Sequence, residues 1–400
     1  MVSVGIVGGG IAASCFVRAA SRRARQLLCA ENAMNVTVYE MGRGPSGRLA
    51  TRRTRECPDA VFDHGTPAFP LFEGESNGSR PDEFSELARE LIREGDLEQW
   101  KCSLAVLDAN DGKIQAVDPS TQPSLYRGVP HMANLCERLL SCEHDAFRVD
   151  LRCSSLITKT WWNASAGAWD VEFTSSHSIS RERHDYLLVT SALLMNGARW
   201  GKLFPGKEAP MVEAARLWKR EHPDILTAVE SVETQTSRPI IVTMFLLNRG
   251  VAENLPFDMV HIENHDSLRK IVVDKRKGGV VLYSTHAYAE EHSSLQSRKS
   301  SISRFSDHAQ GESSVAHAMY DAFARLFRLE DAEPLRWGPL AHRWGAAFVS
   351  SSSPLQHVLG MKLLFAGDFV SGGRPLRSFV GDAGQSGCNA ASALFRSLAE

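Results

Sequence analysis

The chain has 400 residues, of which 43% are hydrophobic, and its formal net charge is −2 with a pI near 6.7. This length allows one large α/β unit or two domains, and the hydrophobic content is ample for a core. The nearly neutral charge argues against a nucleic-acid-binding protein and against a strongly basic membrane-binding protein, so we expect no nucleic-acid partner.

The eight cysteines form no CxxC motif, and their spacing to the histidines indicates no zinc site, so we expect no metal. We interpret them as reduced thiols, with Cys15 and Cys388 as small core residues of helices. No basic segment precedes the first strand and no apolar run reaches about 18 residues, so the sequence predicts neither a signal peptide nor a membrane span. We therefore expect a soluble, cytoplasmic protein.

The chain opens on a strand, a glycine turn and a helix. The apolar run Val2–Val7 predicts the strand, and the pattern GxGxxA follows it. In this dinucleotide-binding fingerprint Gly8 permits the sharp turn, Gly10 lets the backbone approach a pyrophosphate, and Ala13 lets the helix pack on the sheet. The helix start offers free N–H groups and a positive dipole end to the phosphates.

A second strand, VTVYE, ends at Glu40, which we expect to accept hydrogen bonds from ribose hydroxyls and to repel a 2′-phosphate. Glu40 follows Gly8 by more than the usual spacing of about 20 residues, which fits a longer helix and loop. A basic cluster comes next and is either a solvated loop or, for one member, a phosphate ligand. Its members are Arg43, Arg48, Arg52, Arg53 and Arg55.

The helices and strands after this first unit are predicted from weaker sequence patterns. Turn-rich residues 74–82 precede an amphipathic helix predicted over 82–99, and a further helix is predicted from about Met132. Short strands are predicted at 147–151, near 155–161, at 169–173 and within 184–195.

For the middle of the chain, about 200–334, the sequence predicts antiparallel strands joined by loops at 239–250, 268–279 and 280–287. A serine- and charge-rich stretch at 291–314 predicts an exposed, mobile insert, followed by a helix over 314–329. Near the C-terminus, 363–370 predicts a buried strand ending at Gly367–Asp368. A last helix is predicted from Ala383 to Leu398.

We therefore predict an α/β fold in which a discontinuous Rossmann-like domain carries an inserted substrate domain built on an antiparallel sheet. The nucleotide-binding domain is predicted to comprise 1–72, 120–200 and 335–400. The substrate domain is predicted to comprise 73–119 and 201–334.

Three segments together resemble the renalase-like flavoproteins, a branch of the amine-oxidase superfamily. They are GRGPSGRLATRR at 42–53 with FDHG at 62–65, residues 267–294 with LAHRWGAAF at 340–348, and LLFAGDF with the terminal helix. The resemblance implies non-covalently bound FAD and the two-domain fold of the glutathione-reductase and p-hydroxybenzoate-hydroxylase type.

The resemblance also implies FAD-binding roles for particular residues. Gly47 and Arg48 would lie near the pyrophosphate or the ring edge, although Arg48 could instead be a surface ion-pair partner. The Leu156 backbone amide would contact the adenine. At Gly367–Asp368, the Asp368 carboxylate would accept a hydrogen bond from a ribityl hydroxyl. Alternatively, this carboxylate only caps the turn after the strand.

The terminal helix carries the last of these implied roles. A helix start at Ala383–Gly384 would point at flavin N1 and C2=O, where negative charge accumulates on reduction. Gly384 and Gly387 would allow close backbone approach to the flavin.

A substrate pocket is predicted around His64, His342 and Trp344, each of which could instead be a structural residue of the sheet or hairpin. Hydride transfer from a dihydronicotinamide needs no strong base, because losing the hydride restores aromaticity. The sequence therefore identifies no catalytic residue.

Three functions stay open. The first is an FAD-dependent oxidase acting on a small reduced substrate, namely dihydronicotinamide isomers of NAD(P)H, with oxygen as acceptor. The second is a flavin amine oxidase or a desaturase-like enzyme. The third is a non-catalytic FAD- or NAD-binding interaction protein, suggested by unusual residues at 66–68 and 190–200.

Overall fold

The bounds of the regular elements come from a computed structural model. It describes residues 1–27, 33–71, 82–175, 178–293, 309–329, 334–349, 355–370 and 379–400. The strands within these residues are β1 (Val2–Val7), β2 (Met34–Tyr39), β3 (Thr51–Arg53), β4 (Val61–Asp63), β5 (Phe69–Pro70), β6 (Leu97–Gln99), β7 (Leu104–Asp108), β8 (Lys113–Ala116), β9 (Leu125–Gly128), β10 (Phe147–Arg152), β11 (Ser155–Asn163), β12 (Ala168–Ser175), β13 (Ser178–His184), β14 (Tyr186–Val189), β15 (Ser237–Leu246), β16 (Met259–Glu263), β17 (Leu268–Asp274), β18 (Gly279–Ser284), β19 (Trp337–Val349) and β20 (Leu363–Phe365).

The α-helices in the same part of the chain are α1 (Ile11–Leu27), α2 (Glu83–Glu94), α3 (Ala133–Leu140), α4 (Gly197–Leu203), α5 (Pro210–Trp218), α6 (Pro223–Glu233), α7 (Arg249–Glu253), α8 (His286–Glu291), α9 (Ala309–Phe327) and α10 (Phe379–Ala399).

The first sheet has five strands in the order β10-β2-β1-β14-β20, and all of its neighbouring strands are parallel. One face packs on α1, α3 and α10, and the other on β11, β12, α5 and α6. A sheet covered on both faces requires continuous apolar strands, which is why β1 and β14 are nearly all hydrophobic. The predicted α/β fold with a Rossmann-like sheet is confirmed.

The second sheet has seven strands in the order β19-β15-β18-β17-β16-β7-β8 and is antiparallel except between β16 and β7. One face packs on α9, where the rings of Phe245 and Phe323 lie 5.3 Å apart. The other face packs on the hairpin of β3 and β4, where Phe62 stacks on Trp337 at 5.5 Å. The antiparallel sheet predicted for the middle of the chain is therefore present.

The packing departs from the predicted domain boundaries in three places. Helix α2 belongs to the core around α1 and α10, and α5 and α6 belong to the core under the first sheet. Strand β19, assigned from sequence to the nucleotide domain, is an edge of the second sheet instead. Each segment lies where its apolar side chains are buried, and the sequence alone does not say against which sheet that is. The division into two domains stays a prediction.

Helices α5 and α6 were not predicted, although the sequence carries their signals. Each begins with a proline in its first turn, a position where proline needs no N–H partner. In α6, Ile225, Ala228, Val229 and Val232 recur with helical spacing and are all buried.

Two sequence predictions fall largely outside the described residues. They are the turn-rich stretch at 74–82 and the mobile insert at 291–314, since 72–81 and 294–308 are not described. The helix that was predicted to begin at Ser314 begins at Ala309. In the described part of the chain, no helix is both long enough and apolar enough to cross a membrane.

The contact between α1 and α10 gives a test of this packing. A Cβ added to Gly387 would lie 2.1 Å from the carbonyl oxygen of Ala12. We expect Gly387→Ala to lower the free energy of unfolding by about 1–3 kcal/mol, because the two helices must separate. Urea denaturation followed by circular dichroism measures the change.

The matched control is Gly201→Ala in α4, where an added Cβ meets no atom within 4 Å. Alanine is the better helix former, so this variant should gain up to about 1 kcal/mol. Equal stability of the two variants would contradict the close packing of α1 on α10.

Candidate cofactor and substrate site

The glycine turn after β1 has the geometry that the fingerprint predicts. Gly8 has a φ of +100°, and a Cβ there would lie 2.7 Å from Thr190 Oγ1, so only glycine fits. A Cβ on Gly10 would make an ordinary van der Waals contact with Gly47 Cα, at 3.8 Å, and the Gly10 backbone forms a parallel bridge with Ser46. Ala13 is fully buried where α1 packs on the sheet. The glycine turn therefore leads directly into the start of α1, where helix N–H groups suit a pyrophosphate.

Glu40 joins the two loops at this edge of the sheet. Its carboxylate accepts hydrogen bonds from the backbone N–H groups of Gly9, at 2.7 Å, and Gly42, at 2.5 Å. Burial raises the pKa of Glu40, and these two N–H groups oppose that rise. The sequence analysis did not foresee these bonds, and contact with a ribose stays a prediction. Ser155 donates its N–H to the Glu40 carbonyl at 2.9 Å, which puts Leu156 beside this end of the site.

Arg48 and Asp368 form a bidentate ion pair, with both N···O distances at 2.6 Å. Asp368 follows β20 of the first sheet and is 2% exposed, whereas the Arg48 side chain is 36% exposed. Arg48 also donates to the carbonyl of Ala347 in β19 at 3.1 Å. One guanidinium therefore connects the end of the first sheet to the edge of the second.

The pKa values of Arg48 and of nearby Arg199 reflect the charges around this ion pair. Burial lowers the pKa of Arg48, but the Asp368 carboxylate outweighs that effect, so the pKa lies above its ordinary value. Arg199 of α4 is half-buried nearby, and burial followed by the charge of Arg48 lowers its pKa. Arg199 was not predicted from the sequence, because its place inside α4, ten residues after the end of β14, carries no local signal of this contact.

The backbone conformation and the close neighbours of Gly367 exclude a side chain at this position. Its φ is +142°, and a Cβ there would lie 2.4 Å from the Phe369 ring, so a side chain is excluded. Its N–H donates to Ser386 Oγ at 2.8 Å, which ties the turn before Asp368 to α10. Strand β20 ends at Phe365, so Asp368 lies in the 3₁₀ turn that follows it.

The predicted start of the last helix is wrong. Helix α10 begins at Phe379, so Ala383 and Gly384 lie inside it, and their N–H groups belong to the helical ladder. A Cβ on Gly384 would lie 2.2 Å from the Phe84 ring of α2, and Gly387 makes room for α1. The structure therefore explains both glycines by helix packing rather than by approach to a flavin.

The three predicted pocket residues do come together. The His64 ring lies 5.0 Å from that of His342 and 5.3 Å from that of Trp344, and the last two are 4.7 Å apart. Trp344 Nε1 donates to the His64 carbonyl at 3.0 Å. We call His64, His342 and Trp344 the ring cluster. A Cβ on Gly65 would lie 2.0 Å from the Arg48 carbonyl oxygen, so the residue that follows His64 packs against the backbone of Arg48.

Both histidines of the ring cluster are neutral near pH 7. Burial, followed by the charges of His342 and Arg52, lowers the pKa of His64 to about 3. Burial and the charge of Arg52 lower the pKa of His342 to about 4. The ring cluster therefore offers polar but uncharged nitrogens beside an apolar indole.

Asp63, the carboxylate next to this cluster in sequence, has a structural role. Its Oδ1 accepts from Thr51 Oγ1 at 2.6 Å and from the Met132 N–H at 3.1 Å, which fixes the hairpin of β3 and β4 to the start of α3. Burial raises the pKa of Asp63 to about 6, although both bonds oppose the rise. Among the residues that the structure describes, no group of three or more His, Cys, Asp or Glu side chains could hold a metal ion.

Comparison with known proteins agrees with this geometry. Residues 6–80 match a family model described as an NAD(P)-binding Rossmann-like domain. No curated protein matches the chain. Among solved structures, the chain is similar to a flavoprotein/dehydrogenase from Cytophaga hutchinsonii, with 10% identity and a TM-score of 0.52, over 100% of this chain and 78% of that one.

A second similar structure is CmlS, a flavin-dependent halogenase, with 13% identity and a TM-score of 0.50. That match covers 98% of this chain and 58% of the halogenase. At such identities the likeness shows the fold alone, which this chain shares with a flavoprotein/dehydrogenase and a flavin-dependent halogenase.

The ion pair predicts a large effect of a single substitution. Arg48→Met leaves the buried Asp368 carboxylate unpaired and should lower the free energy of unfolding by about 3 kcal/mol. The double variant Arg48→Met/Asp368→Asn removes the charge as well and should recover part of that loss. Urea denaturation compares both with Arg43→Met, an exposed arginine of the same loop. Equal losses in the single and double variants would contradict an energetic role for the pair.

The buried His64 predicts a pH dependence of stability. Between pH 6.5 and about 3 the unfolded chain binds a proton at His64 that the folded chain does not, so stability falls as the pH falls. The slope from this group is at most about 1.4 kcal/mol per pH unit. His64→Gln should therefore lose less stability than the wild type between pH 6.5 and 4.5, measured as thermal midpoints. His317→Gln, at an exposed position, should follow the wild-type curve.

Proposed function

We propose that this protein is an FAD-dependent oxidoreductase that takes hydride from a dihydronicotinamide isomer of NAD(P)H, with oxygen as the acceptor. The observation that carries this proposal is the double contact of β19. Trp344 bonds to His64 and Ala347 bonds to Arg48, so this one strand contacts both the ring cluster and the Arg48–Asp368 pair. A substrate on the rings would therefore lie beside a cofactor held at Asp368.

The residues at the edge of the first sheet fit FAD. The glycine turn and the start of α1 suit a pyrophosphate, and Glu40 suits a ribose. Asp368 has acceptor capacity left beyond its two bonds to Arg48 and would accept a ribityl hydroxyl. When bound, FAD supplies the hydride acceptor at its N5 atom.

The ring cluster would bind and orient the substrate rather than exchange protons with it. A dihydronicotinamide regains aromaticity when it loses hydride, so it needs no base at the reacting carbon. Neutral imidazoles of His64 and His342 and the indole of Trp344 provide flat surfaces that exclude water from a flat ring. This combination supports a dihydronicotinamide as the hydride donor.

An amine substrate is the second candidate, and the aromatic ring cluster is the observation that favours it. Amine oxidation needs mainly a neutral amine in an apolar cage, which rings of this kind supply. The two candidates differ in the substrate that reduces the flavin, so one experiment separates them.

The test is the visible absorption spectrum of the FAD-loaded protein under anaerobic conditions, before and after addition of reduced nicotinamides. We expect fast bleaching of the flavin band with the non-standard dihydronicotinamide isomers and slow bleaching with ordinary NADH. Admission of oxygen should restore the band and release hydrogen peroxide.

A flavin that ignores all nicotinamides but is bleached by primary or secondary amines would replace the first candidate with the second. A flavin that no donor reduces would favour a binding protein without turnover. A protein that cannot be loaded with FAD would overturn the proposal entirely.

A further inference from the structure

Arg52 is a half-buried cation with neither a hydrogen bond nor an ion pair to any other residue of the described ranges. Its Nε atom is fully buried and unpartnered. Two nearby arginines do have partners. Arg48 pairs with Asp368, and Arg53 contacts His131. A buried donor of this kind is costly to the fold unless something binds to it.

The side chain of Arg52 points to the face of the hairpin that carries the ring cluster. Arg52 stands opposite Phe62 in the antiparallel pair of β3 and β4, and opposite residues project to the same face. Phe62 stacks on Trp337 of the second sheet. His64 follows Phe62 by two residues in extended chain and contacts His342 and Trp344.

The charges agree with this placement. Arg52 lowers the pKa of both His64 and His342, so its guanidinium acts on the whole ring cluster. Burial lowers the pKa of Arg52 itself, and Arg43 lowers it further. The carboxylates of Glu56 and Glu312 oppose this, but neither comes within ion-pair distance.

The ring cluster has an unpartnered atom of its own. His64 Nδ1 is buried without a hydrogen-bond partner among the described residues. The Phe62 and Ala50 backbones interact with the His64 ring and raise its pKa, which opposes the effect of burial. The hairpin thus presents a cation without a partner among the described residues beside three aromatic rings. This is the complement of a flat ring that carries a negative charge.

We propose that Arg52 binds the anionic group, a carboxylate or a phosphate, of a substrate whose ring packs against the ring cluster. This inference rests on the proposed function, for which it names the substrate class: an anionic heteroaromatic hydride donor. An amine is disfavoured, because its cationic form would lie beside an unpaired guanidinium in a half-buried site.

The test compares ligands that share a ring and differ in charge. Nicotinate, nicotinamide and oxidised nicotinamide mononucleotide are titrated into the FAD-loaded protein by calorimetry. We expect Arg52→Met to weaken the anionic ligand about 10- to 100-fold and to change nicotinamide binding less than about twofold. Arg52→Lys should retain part of the affinity for the anionic ligands. Comparing the affinity of nicotinate with that of the mononucleotide shows whether the site prefers a carboxylate or a phosphate.

Arg53→Met is the matched control, since this neighbouring arginine lies on the opposite face of β3, and it should bind all three ligands like the wild type. Equal weakening of neutral and anionic ligands in Arg52→Met, or no weakening of either, overturns the anion site. Thermal midpoints of the variants identify a fold defect, and Arg52→Lys then serves as the deciding variant.

Anaerobic reduction of the flavin distinguishes a failure of the Arg52 anion site from a failure of the proposed function. The non-standard dihydro isomers of nicotinamide mononucleotide should reduce the flavin more slowly in Arg52→Met, whereas the matching isomers of the neutral N-methyl-dihydronicotinamide should react equally with both proteins. If neither donor reduces the wild-type flavin while nicotinate binding still depends on Arg52, the proposed function fails and the anion site stands.

Discussion

The site depends on one physical constraint, which is that the Asp368 carboxylate at the end of the first sheet is buried and must be paired. Arg48 supplies the counter-charge through two short parallel hydrogen bonds, the strongest arrangement open to these groups. The same residue is bound at its backbone, because the Arg48 carbonyl accepts the Thr66 N–H at 2.8 Å. The pair therefore fixes the loop after β2, the turn after β20 and the segment that carries His64.

The carboxyl edge of the parallel sheet is built in a comparable way. Glu40 uses both oxygens to hold the backbone on either side of the site, at Gly9 and Gly42. The backbones of Gly10 and Gly47 approach each other closely, since a Cβ on Gly47 would lie 3.3 Å from Gly10 Cα. Both loops lie at the carboxyl edge of the parallel sheet, which is the usual place for a nucleotide in an open α/β sheet.

The second sheet contributes a different chemical environment. It brings His342 and Trp344 against His64, where burial keeps the imidazoles neutral. Arg52 adds a positive charge that forms no ion pair with a described residue. Charge is thus separated by position, with an ion pair at the end of the first sheet and an unpaired cation on the hairpin that faces the second sheet. Strand β19 holds the two sides together.

Local pattern was sufficient for much of this architecture. The turn at Gly8 and Gly10, the packing role of Ala13 and the strands of the first sheet follow from short-range spacing of glycine and apolar residues. Helix α2 was also predictable, since Asp82 caps its start and Gly95 its end. The ring cluster was anticipated through the resemblance of its segments to a known family.

The sequence by itself therefore determined the dinucleotide fingerprint and the α/β class, because these depend on neighbours a few positions apart. Only the tertiary structure decided that Arg48 meets Asp368, which lies 320 residues away. It also decided that Gly384 and Gly387 serve helix packing, and that β19 belongs to the second sheet. Such pairings depend on which surfaces meet once the sheets have formed, and no local spacing in the chain records that choice.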